Sequence, residues 1–111
     1  MNKIEVEGAT VELDREGFLR DLHQWSRQVA VELARREQID LGDEHWEIID
    51  LLRSFYKEYK VSPAMRILVK QAGIKLGREK GSSLHLLRLF PGSPAKVASK
   101  IAGLPKPTNC L

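Results

Sequence analysis

The sequence predicts a mainly α, α+β domain: a small bundle of about five helices, an N-terminal β-hairpin, and an extended C-terminal arm that carries a cysteine. Three observations predict it. The segment "IEVEGATVELD" alternates apolar and polar residues about a central Gly8. Between residues 14 and 103, apolar residues recur at steps of three and four, punctuated by Gly, Ser-Pro and Asp. The chain closes on "GLPKPTNCL", where two prolines forbid both a helix interior and a central strand.

The elements follow in order. Ile4, Val6, Val11 and Leu13 give the hairpin, spanning about residues 4–13, one apolar face, and a two-stranded hairpin needs a body to lie on. Asp14 or Arg15 opens a long helix to about Glu37, with Phe18, Leu22, Trp25, Val29 and Leu33 on one stripe. "IDLG" ends it. Asp43 is the expected N-cap of "EHWEIIDLLRSFYKEY", whose inner face takes Trp46, Ile49, Leu52, Phe55 or Tyr56, and Tyr59. Ser62 and Pro63 signal the start of "PAMRILVKQAGIKLG", with Met65, Leu68, Val69 and Ala72 facing inward. Gly77 and Gly81 bracket a charged loop, and Ser82 or Ser83 caps "LHLLRLF". Ser93 and Pro94 open a last helix that Gly103 closes in the C′ position. Residues 1–104 form the helical domain and 105–111 a flexible arm. Pro105 and Pro107 favour a polyproline-like path, at ~3.1 Å per residue, so the arm carries its tip roughly 19 Å from the body.

Composition sets limits on function. A chain of 111 residues holds one core. No apolar run approaches the roughly 18 residues of a membrane span, and the N-terminus has no signal-peptide core. One cysteine cannot make an internal disulfide framework. Together these point to the reducing cytoplasm. The net charge of +3 permits an acidic partner or RNA and demands neither.

Cys110 is the chain's only cysteine, one residue from the end. A thiol placed there is accessible to a partner's sulfur, and it has no neighbouring cysteine to resolve an intermediate internally. A persulfide fits, because a second thiol can take its outer sulfur. The competing reading is an incidental thiol on a frayed end. Lys106 and Lys100 favour the thiolate, and the C-terminal carboxylate opposes it.

The remaining candidates are weaker. His23, His45 and His85 lack metal-ligand spacing, so no metal site is expected. "GIKLGREKG" lacks the end of a P-loop. Nothing in the sequence calls for a cofactor. Trp25 and Trp46 sit on apolar stripes and read as core. Arg66, Lys70, Lys75, Arg78 and Lys80 form a basic stretch, either a solvated helix face or a docking face. The same stretch supports a rival class, a helix-turn-helix nucleic-acid-binding module, which leaves the cysteine arm unexplained.

"LFPGSPAKVASKIAGLPKPTNCL" resembles the C-terminal signature of the DsrC/TusE family, and "GFLRDLHQW", "EHWEIIDLLRSFYKEY" and "SPAMRILVKQAG" resemble that family's helices. The resemblance implies that Cys110 carries sulfur as a persulfide. It implies an arm, Pro105, Lys106, Pro107, Thr108 and Asn109, that presents the thiol. Arg66, Lys70 and Lys100 are the docking candidates. Family members tied to sulfite reduction carry a second cysteine where this chain has Ser99, so the resemblance is to the single-cysteine, sulfur-relay branch. Asn109 stands where the family usually has glycine, and asparagine tolerates left-handed backbone better than most residues. What the resemblance implies is a sulfurtransferase that accepts sulfur from a TusBCD-type complex. It then hands the sulfur to the tRNA-specific 2-thiouridylase for wobble-uridine thiolation, touching tRNA indirectly at most. The alternative within the family is a sulfite-reductase-associated or sulfur-sensing regulatory paralogue.

Overall fold

The computed structural model describes residues 2–108. Strands β1 (Lys3–Val6) and β2 (Ala9–Glu12) pair antiparallel, with Ile4 opposite Val11. Glu7 and Gly8 both take positive φ, 51° and 82°, which is the two-residue turn whose twist suits a hairpin. Ile4, Val11 and Leu13 are buried, so the predicted apolar face lies on the helices.

The long first helix is not formed. Helix α1 spans Arg27–Arg36, about half the expected length. Side-chain oxygens of Asp14 and Asp21 take backbone N–H groups upstream of it, and Ser26 takes one in its first turn. Asp14 Oδ1 accepts from Glu16 and Phe18, each at 2.9 Å. Gly17 turns the chain at φ 94°, and Leu13 bridges Leu19. Asp21 caps a single 3₁₀ turn, Leu22–Gln24. Ser26 then caps α1 by accepting from Val29 at 3.2 Å. Short polar side chains that bond nearby backbone compete with helix, and here they win over the periodic stripe. Phe18 and Leu19 are still buried, from a loop.

Helix α2 (Asp43–Tyr59) forms as expected, with the cap shifted by one residue. Gly42 is the N-cap, and Asp43 lies in the first turn, where its charge suits the helix dipole. The His45 ring accepts the Gly42 N–H at Nδ1 (3.0 Å), and Nε2 meets the Leu89 carbonyl at 2.9 Å. Ile48, Ile49 and Leu52 are fully buried, Trp46, Phe55 and Tyr56 half-buried. Tyr59 is exposed, contrary to the predicted inner face: the last buried residue of α2 is Leu52, and Tyr59 lies in the helix's final turn before Lys60.

Helix α3 (Met65–Leu76) starts two residues later than Pro63, with no side-chain cap. Leu68 and Ala72 are buried in it. A 3₁₀ turn, Arg78–Lys80, folds back so closely that a Cβ on Gly81 would stand 2.5 Å from the Gly73 Cα. Ser82 caps α4 (Ser83–Leu89) by accepting from His85 at 3.1 Å.

Helix α5 (Pro94–Ile101) is the innermost element and packs against α1, α2, α3 and α4. Five of its eight residues are buried, among them Ala95, Ala98 and Ser99. Their small side chains let four helices approach one short axis. The C-terminal arm is therefore a direct continuation of the most enclosed helix in the fold.

Candidate functional site

The arm begins where α5 ends, and four groups hold that end. Gly103 takes φ 75°, its N–H donates to the Lys100 carbonyl at 3.0 Å, and the Leu104 N–H donates to the Ser99 carbonyl at 2.9 Å. This is the Schellman termination that the sequence marks with glycine. The two carbonyls it leaves over are captured by distant side chains. Trp25 Nε1 donates to the Ile101 carbonyl at 2.9 Å, and the Arg53 guanidinium donates to the Ala102 carbonyl at 2.7 Å. Arg53 also lies over the Trp25 ring, 3.8 Å from its centroid. A Cβ at Gly103 would stand 2.3 Å from Trp25 Cδ1, so the indole fits only against glycine. Trp25 is thus half-buried and acts as a polar clamp rather than as plain core. Burial pulls the Arg53 pKa below its usual value, with Asp50 opposing.

The arm's first residues stay on the body. Ser62 donates its hydroxyl to the Pro105 carbonyl at 2.5 Å and does not cap α3, whose N-cap position is Ala64. Lys106 Nζ reaches the Glu16 carboxylate at 3.1 Å, and Lys96 reaches the same carboxylate at 2.9 Å. Pro105 is half-buried and Pro107 buried. Departure from the body at Pro105, expected from the prolines alone, is corrected by this packing: docking continues through Pro107. Thr108 is exposed, and Asn109 and Cys110 lie outside the described residues.

Three comparisons with known proteins bear on this site. A family model described as "DsrC like protein" matches residues 5–111. The chain belongs to the DsrC-like family. It is 52% identical over 105 residues to Sulfurtransferase TusE of Escherichia coli K12, covering 95% of this chain and 96% of that one. The NMR structure of Allochromatium vinosum DsrC is similar at a TM-score of 0.91 and 48% identity, covering 99% of this chain and 98% of that one. The crystal structure of the oxidized gamma-subunit of the dissimilatory sulfite reductase (DsrC) from Archaeoglobus fulgidus is similar at 0.87 and 40% identity, covering 99% and 100%. The five helices and two-stranded sheet are the small α+β fold of those DsrC structures, and the kinship with TusE is a kinship with sulfurtransferases.

Within this DsrC-like fold, the remaining site candidates separate. Arg66 and Lys70 are exposed on α3. Lys100 differs: its Nζ pairs with Glu37 at 3.0 Å, its side chain is mostly buried, and it lies over the Phe18 ring. Lys100 and Lys106, expected to favour the thiolate, both have their charge compensated by carboxylates. No group of three His, Cys, Asp or Glu among the described residues is placed to hold a metal. Ser99 is fully buried, and its Oγ has no hydrogen-bond partner among the described residues. The anchors Trp25, Arg53, Ser62 and Glu16 escape sequence reasoning because each acts across more than forty residues.

Two predictions follow from this geometry. A buried hydroxyl without a partner is destabilising, so Ser99→Ala should raise stability by about 1 kcal/mol and Tm by ~4 °C in thermal denaturation. Equal or lower stability would show that the hydroxyl is satisfied. Glu16 is held below its ordinary value of 4.5, first by Lys96 and then by Lys106, with burial opposing. A depressed carboxyl contributes stability above its unfolded pKa and loses it as pH falls through the lower folded value. Urea denaturation should therefore show a gap between the parent and Glu16→Gln at neutral pH that closes as pH falls below 4.5. A gap that persists in strong acid would remove the anchoring role of the ion pairs.

Proposed function

We propose that the protein is a sulfur-relay carrier in which Cys110 holds sulfane sulfur as a persulfide. In this reading it accepts the sulfur from a TusBCD-type donor and passes it to the tRNA-specific 2-thiouridylase. The observation that carries the reading is positional: the chain's lone thiol stands three residues beyond Pro107, the last buried residue of an arm anchored to the innermost helix. Three residues of extended chain span about 10 Å at most. A thiol on so short a lever, fixed at its base, suits delivery to a partner's pocket.

The chemistry balances without an external oxidant. The Cys110 thiolate attacks the outer sulfur of a donor persulfide, R–S–SH. The Sγ–S bond forms, the donor's S–S bond breaks, and the donor leaves as a thiolate. Cys110–S–SH results. An acceptor thiolate then attacks the same outer sulfur and releases Cys110 as its thiolate. Ser99 cannot intercept the intermediate, because a serine forms no disulfide, so the sulfur leaves to another molecule. The reducing cytoplasm suits a thiol that must return to its free form. Among the described residues no helix is long and apolar enough to cross a membrane. The sulfite-reductase-associated alternative gains less support, since the TusE relative is more similar than the sulfite reductase subunit.

Intact-mass measurement tests the reading. Incubation with a persulfidated donor should add one sulfur, about 32 Da, removable by reductant. Cys110→Ser should remain unmodified and folded. A parent protein that never gains sulfur from a cysteine-desulfurase-fed donor would end the carrier proposal.

A further inference from the structure

Charge is divided unevenly along the chain. Of fifteen carboxylates, Glu79 alone lies after Glu58, against ten Lys and Arg residues in the same stretch. Several of those cations are neutralised by the acidic first half: Lys80 by Glu47, Lys100 by Glu37, and Lys96 and Lys106 by Glu16. Arg66, Lys70 and Lys75 on α3, and Lys60 before it, are exposed and form no ion pair among the described residues.

The same segment exposes apolar side chains. Tyr59, Val61, Ile67 and Ile74 are 53, 52, 46 and 63% exposed, and they are four of the seven large hydrophobics exposed in the described chain. On α3, Ile67, Lys70 and Ile74 fall at spacings of three and four residues, and Arg66 lies four before Lys70, which puts all four on one side of the helix opposite the buried Leu68 and Ala72. The result is an aliphatic strip flanked by cations that form no ion pair among the described residues. It suits a protein surface with an apolar centre and an acidic rim.

The stripe also begins beside the arm. Ser62, which holds the Pro105 carbonyl, lies between the exposed Val61 and the start of α3. Helix α3 extends about 18 Å from there, at 1.5 Å per residue. With Pro107 docked, Cys110 reaches about 10 Å. A partner that touches the sulfur is therefore brought against the body within reach of this face.

We propose that the α3 face, Arg66, Ile67, Lys70 and Ile74 with Tyr59 and Val61 at its near end, is the docking surface for the acidic, apolar-centred face of the protein that loads Cys110. The proposal rests on the carrier reading above for the identity of that partner. RNA fits the strip less well, because aliphatic side chains gain nothing from phosphate and the face offers little base stacking. A second copy docked face to face would set cation against cation.

The test measures binding apart from chemistry. In a Cys110→Ser background, affinity for the immobilised TusBCD-type complex is compared among three double variants. These are Arg66→Glu/Lys70→Glu, Ile67→Ser/Ile74→Ser, and, as a control of equal net charge, Lys3→Glu/Arg20→Glu. All six positions are exposed on the body, and unchanged melting confirms that each protein folds. Both α3 variants should bind at least tenfold more weakly, and the parent's affinity should fall with salt while the charge-reversed protein's does not. The control should match the parent. No binding by the parent, equal binding by the α3 variants, or equal loss in the control would overturn the proposal. Bulk tRNA retained by the parent and lost by the α3 variants, with donor binding unchanged, would assign the face to RNA and overturn it. So would a dimer in sedimentation that Ile67→Ser/Ile74→Ser abolishes while donor binding is kept. Failure of the carrier reading shows separately, as absence of sulfur on Cys110 in the intact-mass experiment.

Discussion

The structure depends on one capture: the last carbonyls of α5 are held by Trp25 and Arg53 across a turn that only Gly103 fits. Helix ends leave carbonyls without partners, and an innermost helix cannot hand them all to water. Here a neutral indole and a guanidinium stacked on it take two of them. A charge-assisted bond to a half-buried carbonyl is among the stronger hydrogen bonds a small domain can make. It fixes the direction in which residues 104–107 leave the helix. Ser62 and Glu16 then hold those residues down. Every partner group comes from a different part of the chain, so the arm's base is set by the whole fold.

That arrangement gives the small residues of α5 a second meaning. Ala95, Ala98 and Ser99 allow α1, α2, α3 and α4 to pack around one eight-residue helix. Rigidity at the centre is passed to the arm through the turn at Gly103. Pre-organisation of this kind, at residues 104–107, lowers the entropy lost when a partner engages that segment.

Local signals in the sequence were legible where local forces decide. The alternation about Gly8, the Ser82 cap, the proline at the start of α5 and the glycine at its end all correspond to formed elements. The stripe from Phe18 to Trp25 misled because loop residues can be buried at helical spacing by accident. The competing signal was present in Asp14, Asp21 and Ser26, three cap-forming residues within thirteen positions. The helix stop at Gly103 and the prolines after it were legible in the sequence, but the anchors of residues 104–107 were not. Nothing local marks Ser62 as a partner for Pro105 rather than as a cap, or Lys100 as the buried partner of Glu37. Those choices are made by contacts between segments 43 and 63 residues apart.

If the clamp sets the arm's direction, it should matter for transfer between proteins and not for the thiol itself. The most direct measurement compares Arg53→Met with the parent in two reactions: sulfur uptake by Cys110 from a protein donor, and uptake from a small-molecule persulfide. Methionine keeps an apolar stem beside Trp25 and removes the bond to the Ala102 carbonyl. Uptake from the protein donor should fall about tenfold, as a misdirected reactive group would, while uptake from the small molecule stays the same. Equal rates in both reactions, in a variant that remains folded, would contradict the account.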